Sequence, residues 1–426
     1  MTITRSNLLP GMRLRAIQTS KFKSSFYSIV FNTPLRKETA AMNALIPSVL
    51  RQGTINHPDM QSLAAALDEL YGGAIEPVVR QRGETQSIGF VASFLDDAYT
   101  LDKSVIVEPA SQLLVDILFC PLVEERAFST DFVTREKENL IQKIRGQVND
   151  KRYYANQRMI QHMCQNEAYG VERLGSLEEV EKITAKGLWD HYLQLLATSE
   201  IEIYYCGSAS YDRVEWATNL ILSGLPLRGE VVHCDCDVRI TAPEEPHFVS
   251  QSMDVSQGKL SMGFRTGGVT AWEEDYPALI MVNAIFGGTS MSKLFMNVRE
   301  KHSLCYYASS TIERLKGIMT VSSGIEFEKF DQAKTEILAQ LEAVKKGDIT
   351  TEEMEGSRRI LIANLQTIPD SQGRMEDFWL GQAIAGLDED VDTMVEKLEA
   401  VTVEQVVAVA NKLQLDTIFF LKGLEE

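Results

Sequence analysis

The spacing of apolar and polar positions predicts strands and helices that alternate along the chain. Short β-rich runs such as "FYSIVF" (residues 26–31) and "LSMGF" (residues 260–264) are typical of strands. Longer stretches, such as residues 331–346 and the run that opens with Thr350 and Glu353, have the 3.6-residue period of amphipathic helices. This alternation predicts the α+β class, in which helices pack on one face of a mainly antiparallel sheet.

Three pairs of segments recur in the same order in the two halves of the chain. The first strand leads to "AAMNALIPSVLRQG" and the second to "YPALIMVNAIFGG". "LAAALDELYGG" then corresponds to "SKLFMNVREKHSLCYY", and "VEKITAKGLWDHYLQLLATSEIEIYYCG" corresponds to "LEAVTVEQVVAVANKLQLDTIFFLKG". Thr402 and Gln405 form a capping box that begins the helix of the last segment. The recurrence predicts two homologous domains.

The boundary between these domains is predicted where helical periodicity stops. Residues 225–245 combine proline, glycine and acidic residues without an amphipathic pattern. We therefore predict an N-terminal domain of residues 1–230 and a C-terminal domain of residues 231–426.

Composition limits the kinds of partner that the protein can have. The chain has 426 residues and a formal net charge of -18, which disfavours nucleic acid and anionic membranes as partners. Cationic peptides are compatible with this charge, although a solvated acidic surface gives the same balance. The N-terminal residues lack the apolar core of a signal peptide, and six scattered cysteines argue against a disulfide framework. These features predict a soluble cytoplasmic protein.

Four further strings carry a resemblance to a known family. In order they are "LPGMRL", "FGGTSMSKLF", "NVREKHSLCYY" and "VTVEQVVAVANK". Together they resemble the insulinase-like (pitrilysin) metallopeptidases, the inverted zincins, over nearly the whole chain. The resemblance implies two related α+β domains. The glycines of "FGGTSMSKLF" lack the spacing of a phosphate-binding loop, which favours a helix-packing turn.

Active members of that family carry H-x-x-E-H on a helix, followed by Gly-Thr. The two histidines lie on one helix face and bind zinc, and the glutamate accepts a proton from metal-bound water. In "NALIPSVLRQGT", Gly53 and Thr54 place Ala44 and Ser48 at the histidine positions and Pro47 at the glutamate position. Proline in a helix interior also predicts that this helix is broken at Pro47 or begins there.

The remaining candidate metal ligands are missing as well. The resemblance places Lys143, in "TREKENLIQKI", at the position of the family's third zinc ligand, a glutamate. The six histidines include no pair at i and i+4, and the "HCDC" string at residues 233–236 has no second ligand cluster nearby. We therefore expect this chain to bind no metal.

The second half keeps a different part of the family's active site. Family members carry an arginine and a tyrosine seven residues apart, in a pattern like R-E-x-x-G-L-A-Y, and Arg299 and Tyr306 match them. A guanidinium and a phenol can hold a peptide carbonyl and stabilise the oxyanion formed on it. Tyr307 is an alternative to Tyr306. Without the resemblance, Arg299 would be interpreted as a surface ion-pair former and Tyr306 as a core residue. The flanking departures from the pattern are His302, Ser303 and Cys305.

This combination resembles the subunit of a two-subunit peptidase, or processing-peptidase-like heterodimer, that lacks the zinc motif. The resemblance implies a catalytically incomplete subunit that pairs with a zinc-bearing homologue around a peptide chamber and supplies Arg299 and Tyr306. Zinc is then expected in the partner. The alternative is a non-enzymatic scaffold or assembly protein, and an active stand-alone peptidase would need ligands that the sequence does not offer. The substrate, the pathway and homodimer formation in isolation stay open.

Overall fold

The structure is a computed structural model that describes residues 2–225 and 228–424, and it confirms the predicted α+β class. In chain order, the elements up to residue 225 are β1 (Thr2–Leu9), β2 (Met12–Gln18), β3 (Ser24–Pro34), α1 (Lys37–Leu50), α2 (Met60–Glu69), β4 (Ala74–Arg82), β5 (Thr85–Leu95), α3 (Val107–Phe119), β6 (Val123–Glu124), β7 (Ala127–Phe128), α4 (Thr130–Gly146), α5 (Lys151–Met163), α6 (Leu177–Lys182), α7 (Ala185–Thr198), β8 (Glu200–Gly207) and α8 (Tyr211–Gly224).

The second series begins after the predicted boundary region. Its elements are β9 (His247–Ser252), β10 (Gly258–Arg265), α9 (Tyr276–Asn283), two π-helical segments (Ala284–Gly288 and Leu294–Lys301), β11 (Cys305–Glu313), β12 (Ile318–Ile325), α10 (Phe330–Lys345), α11 (Thr351–Gln366), α12 (Gln372–Ile384), α13 (Val391–Ala400), α14 (Val403–Ala410) and β13 (Gln414–Lys422). The capping box predicted from Thr402 and Gln405 is present, and Thr350 and Glu353 form another at the start of α11.

The chain forms two compact units, and each contains a segment from the other half of the sequence. Unit 1 comprises Met1–Arg145, Val171–Asp235 and Gln372–Ile384. Unit 2 comprises Gly146–Gly170, Cys236–Ser371 and Ala385–Glu426. Unit 2 therefore includes α5, and unit 1 includes α12. The predicted domains of residues 1–230 and 231–426 are continuous, so they place α5 in the first domain and α12 in the second. In the structure the two helices are exchanged between the units.

In unit 1 the sheet has the strand order β1-β2-β8-β3-β5-β4, with β2 and β8 parallel and the other pairs antiparallel. Alternate side chains of β3 face opposite sides of this sheet. Tyr27, Ile29 and Phe31 belong to the main hydrophobic core with residues of α1, α3 and α7. Ser28 instead donates a hydrogen bond of 2.8 Å to Glu376 of α12. The exchanged helix thus covers the face opposite the main helices.

An ion pair with a buried carboxylate and a partly buried guanidinium holds α12 against the unit 1 sheet. Glu376 is 1% exposed and accepts hydrogen bonds of 2.9 and 2.8 Å from one guanidinium nitrogen of Arg80 in β4. Paired burial of this kind avoids the large cost of an isolated interior charge.

In unit 2 the sheet order is β11-β12-β10-β13-β9, with β13 and β9 parallel. Ile418 and Phe420 of β13 face the main helical core, whereas Phe419 packs with α5 on the other face. A Cβ atom at Gly263 in β10 would lie only 2.5 Å from the sulfur of Met163. The glycine therefore gives α5 room to lie against the strand.

The end of the exchanged α5 segment is also anchored by buried charges. The fully buried Arg265 donates hydrogen bonds to Glu167, at 3.0 and 2.6 Å, and to Asp416, at 2.9 Å. Lys316, which is also fully buried, lies 2.7 Å from Glu167. Two cations and two carboxylates therefore balance one another inside unit 2.

The prediction that Pro47 breaks or begins its helix is wrong. α1 runs continuously from Lys37 to Leu50 with Pro47 inside it. Proline removes one backbone donor, at a cost of about 3 kcal/mol in a helix interior. Here the residue lies in the last turn, its carbonyl still accepts a bond from Arg51, and its ring is buried beside Phe31 and Leu196. This apolar burial offsets part of the cost.

Candidate functional site

The residues at the zinc-motif positions lie on α1, and their side chains do not fit a zinc ion. Ala44 is 4% exposed and belongs to the main core of unit 1, and Pro47 is buried among apolar side chains. Ser48 is partly buried on the same helix. Structural and catalytic zinc sites use thiolate, imidazole or carboxylate ligands, and none of these three side chains supplies one.

The predicted third ligand position lies on a different helix. Lys143 is exposed in the last turn of α4. The buried Glu136, two turns earlier on this helix, instead accepts a 2.8 Å hydrogen bond from Gln52, just beyond the end of α1. The described contacts therefore link α4 to the end of α1 through Glu136 rather than through Lys143.

A neutral polar network lies immediately beside Ala44. Asn43 is fully buried, and its amide oxygen accepts a hydrogen bond of 2.6 Å from Nε2 of His191 in α7. The amide nitrogen of Asn43 donates to Gln86 at 2.7 Å, and Gln86 donates in turn to the carbonyl of Ala40 at 3.0 Å. Burial lowers the pKa of His191 to about 4, so the imidazole is neutral at physiological pH. The network ties α1 to β5 and α7 without a charge.

Within residues 2–225 and 228–424, no group of three or more histidine, cysteine, aspartate or glutamate side chains is placed to hold a metal ion. The "HCDC" string at residues 233–236 is therefore not part of such a group. Burial raises the pKa of Cys234 to about 12, which disfavours the thiolate that metals bind. His233 is engaged with Glu200 at 2.7 Å.

Arg299 and Tyr306 lie in one surface pocket of unit 2. This pocket has a volume of about 310 Å³ and is lined by Arg299, Glu300, Ser303, Leu304, Cys305, Tyr306 and Glu326. The side chain of Arg299 is 41% exposed, and Tyr306 is 62% exposed. Both polar groups can therefore reach a molecule in the pocket.

Irregular backbone positions this pair. Arg299 lies in the second π-helical segment, in which the amide of His302 bonds to the carbonyl of Asn297 five residues earlier. Such segments are frequent at functional sites. Ser303 then adopts a left-handed backbone with φ of 49°, and Tyr306 is the extra residue of a β-bulge at the start of β11. Bulges change the direction of a side chain at a strand end.

The alternative residue, Tyr307, has a different environment. Its ring lies over Gly324 of the neighbouring strand, where a Cβ atom would approach the ring to 2.5 Å. The guanidinium of Arg152 lies 4.4 Å from the ring centre on the sheet face. Tyr307 is therefore partly buried beside Arg152, whereas Tyr306 faces the pocket.

Sequence reasoning identified the pair in the pocket but missed the polar groups that surround the zinc-motif positions. His191 was noted only as one of six histidines without an i, i+4 partner. Its position in the middle of the amphipathic α7 was the one available signal of burial. Arg152 gave no signal because its contacts in β11 are more than 150 residues away in the sequence.

The comparisons with known proteins agree with this fold. Residues 182–361 match the family model of the peptidase M16 inactive domain. A Bacillus subtilis protein named "Probable inactive metalloprotease YmfF" is 35% identical over 419 residues, which covers 97% of this chain and 96% of that protein. The crystal structure of a conserved protein from Enterococcus faecalis has a TM-score of 0.89 and 28% identity, and it covers 100% of this chain and 99% of its own.

A crystal structure of a peptidase M16 inactive domain from Pseudomonas fluorescens has a TM-score of 0.81 at 16% identity, covers 100% of this chain and 99% of its own, and supports the fold alone. The match over nearly the whole chain to a probable inactive metalloprotease, and the match to the inactive-domain model, define a metallopeptidase homologue. The chain belongs to the peptidase M16 family, the insulinase-like or pitrilysin family. No helix in the described part of the chain combines the length and the apolar character needed to cross a membrane.

Proposed function

We propose that this chain is the catalytically incomplete subunit of a two-chain M16 peptidase. It pairs with a homologous subunit that carries H-x-x-E-H, and zinc is bound by that partner. Together the two chains enclose peptide substrates, and this chain supplies Arg299 and Tyr306 to the shared active site. The name of the Bacillus subtilis relative, a probable inactive metalloprotease, is consistent with a chain that does not cleave peptides alone.

The observation that carries this proposal is the contrast between the two halves of the chain. The predicted zinc-motif positions of α1 hold an alanine, a proline and a serine, and the alanine and proline are buried among apolar side chains. The pocket of unit 2 keeps an exposed arginine and an exposed tyrosine. Arg299 makes a long ion-pair contact of 3.5 Å with its neighbour Glu300, so the guanidinium keeps donors for a ligand.

The chemical role follows from the donor atoms. The guanidinium of Arg299 and the hydroxyl of Tyr306 donate hydrogen bonds to the carbonyl oxygen of the scissile peptide. These bonds strengthen as negative charge develops on that oxygen, which lowers the activation free energy. This chain thus contributes transition-state stabilisation, while the partner contributes the metal and the general base.

The test is peptidase activity on a mixed peptide library with this protein alone, with a zinc-motif homologue from the same genome, and with both. We expect activity only in the mixture and its loss on adding a chelator. In that mixture, Arg299→Ala or Tyr306→Phe should lower turnover by about ten- to a thousand-fold, as removal of an oxyanion donor does.

Tyr307→Phe is the matched control, because it removes a neighbouring hydroxyl outside the pocket. It should leave turnover close to that of the wild type. Unchanged turnover in both the Arg299 and Tyr306 variants would exclude the shared site, and loss in Tyr307→Phe alone would transfer the hydroxyl role to that residue. Inactivity of every mixture would favour the alternative, a non-enzymatic scaffold that keeps the peptidase fold.

A further inference from the structure

Two cations of unit 2 lie around the ring of Tyr307. Arg152, at the start of α5, lies 4.4 Å from the ring centre, and the ammonium of Lys259 lies 5.8 Å from it. Arg152 donates a 2.7 Å hydrogen bond to Ser309, and Lys259 bonds to the amide oxygen of Gln257. Among the described residues, neither cation has a carboxylate within ion-pair distance. We call Arg152, Lys259 and Tyr307 the basic clamp.

The register of the sheet builds the basic clamp. Lys259 of β10 pairs with Gly324 of β12, and Gly324 pairs with Tyr307 of β11. The three residues therefore form one row across the strands, on the face that α5 covers. Because Gly324 has no side chain, the ring of Tyr307 lies across this row towards Lys259. Burial, and then the charge of Arg152, lower the pKa of Lys259.

Two neighbouring cations that have no carboxylate partner among the described residues favour an anionic ligand, although the chain as a whole has a net charge of -18. Bringing two like charges together costs free energy that a carboxylate between them would recover. The carboxylates nearest in sequence do not do so, because Asp150 caps the α5 helix through the amides of Arg152 and Tyr153. Asp150 still lies close enough to act electrostatically on Lys259, which leaves the clamp with a net positive charge.

The strand beside the basic clamp suits an extended peptide. β11 is the outermost strand of its sheet among the described strands, and it starts in the pocket of Arg299 and Tyr306. Ser309, Ser310 and Thr311 form its middle, with no charge or proline to oppose pairing with another strand. A strand added at this edge would place alternate side chains next to Tyr307 and Ser309, about 5 Å away.

We propose that the basic clamp binds a carboxylate of an extended peptide that pairs with β11. The proposal deepens the proposed function, on which it rests for the peptide nature of the ligand, by naming an acidic group as a determinant of substrate choice. The overall charge of the protein suits cationic peptides, whereas this position selects the opposite charge locally. The carboxylate comes from an acidic side chain or from the C-terminus of the peptide.

The test is fluorescence anisotropy with the full-length chain alone and labelled threonine- and valine-rich peptides. Four probes share one sequence and end in glutamate or glutamine, each with a free or an amidated C-terminus. We expect the doubly neutral probe to bind about tenfold more weakly than the probe that carries the recognised carboxylate, as expected for lost hydrogen bonds to a charged group. The two singly charged probes distinguish the side chain from the C-terminus.

The variants Arg152→Gln and Lys259→Gln should each reduce the preference for the acidic probe about tenfold. Lys186→Gln removes an exposed cation of unit 1 and controls for the change in net charge. Circular dichroism and thermal unfolding establish that each variant is folded.

Equal binding of all four probes to the wild type would overturn the proposal, as would an unchanged preference in both glutamine variants of the clamp. These measurements need neither the partner subunit nor turnover. Failure of the mixed peptidase assay would therefore leave the clamp result intact, and loss of probe preference would overturn the clamp alone.

Discussion

At the scale of single residues, a neutral hydrogen-bond network lies beside Ala44, one of the predicted zinc-motif positions of α1. Asn43, Gln86 and His191 satisfy one another's polar groups, with Nε2 of His191 donating to Asn43. A protonated imidazole would introduce a charge that the surrounding groups do not balance. His191 is therefore a structural residue, and its burial keeps the imidazole neutral.

His191 should make the stability of the protein depend on pH. Its pKa is about 4 in the folded state and near 6.5 in the unfolded chain. As the pH falls from 6.5 towards 4, the unfolded state takes up a proton that the folded state does not, so the free energy of unfolding falls. Between pH 7 and pH 5 the loss should be about 2 kcal/mol.

Urea unfolding at pH 7 and pH 5 measures this loss. His191→Gln keeps a donor for Asn43 but cannot titrate, so its free energy of unfolding should fall about 2 kcal/mol less than that of the wild type over this range. An identical pH dependence in His191→Gln and the wild type would contradict the assignment.

At the scale of helices and strands, the position of α12 on the unit 1 sheet depends on the ion pair between Glu376 and Arg80. Glu376 is buried, and Arg80 of β4 and Ser28 of β3 are its partners. Glu376→Gln should therefore lower the free energy of unfolding by about 2–4 kcal/mol, because Arg80 loses its counter-charge. Urea unfolding with circular dichroism measures the change.

Two further variants control this experiment. Asp190→Asn removes an exposed i,i+4 partner of Lys186 and should cost no more than about 0.5 kcal/mol. Replacing both Arg80 and Glu376 by methionine should recover much of the loss, since no uncompensated charge remains. A Glu376→Gln cost as small as that of Asp190→Asn would show that the buried pair does not hold α12.

The helices and strands were the part of the fold that local pattern could predict. The capping box at Thr402 could be predicted because the cap and its partner, Gln405, are three residues apart. The prediction at Pro47 was wrong because helix propensity is a local property of the residue. The apolar pocket that accommodates its ring is formed by strands and helices that are distant in the sequence. The exchange of α5 and α12 was not predictable for the same reason: an amphipathic pattern shows that a helix has a buried face but not which sheet it covers.

For the candidate site, the sequence likewise predicted the residues but not their arrangement. Arg299 and Tyr306 were found through a motif in which the spacing itself carries the information. Their common pocket depends on a π-helical segment and a β-bulge, neither of which has a reliable sequence signal. The basic clamp joins residues of α5, β10 and β11, so only the strand register brings its members together.

At the scale of the whole molecule, α5 and α12 should make the folding of each unit depend on the other half of the sequence. Unit 2 requires α5, which carries Met159 and Met163 into its second hydrophobic cluster. Unit 1 requires α12, which brings Glu376 to Arg80. A chain cut between residues 230 and 231 keeps every residue, yet each fragment then carries a helix that belongs to the other unit.

The fragments of residues 1–230 and 231–426 should therefore not fold independently. Expressed alone, the second fragment lacks the α5 side chains that cover Phe419 and Leu421, so it exposes apolar surface. We expect each single fragment to bind a hydrophobic dye and to unfold without a sharp transition. Co-expression should restore a soluble pair with the cooperative unfolding of the intact chain.

The control is an intact chain with a protease site inserted within residues 237–243, which belong to no helix or strand. Cleavage after folding leaves α5 and α12 in their units, so the cut protein should keep its unfolding transition. Independent, cooperative unfolding of each separately expressed fragment would contradict the prediction, because it would mean that neither unit depends on its donated helix. Recovery only on co-expression would mean that each unit of this protein is built from both halves of its sequence. Truncation at the sequence boundary would then remove α5, which carries Arg152, from the unit that holds Arg299 and Tyr306.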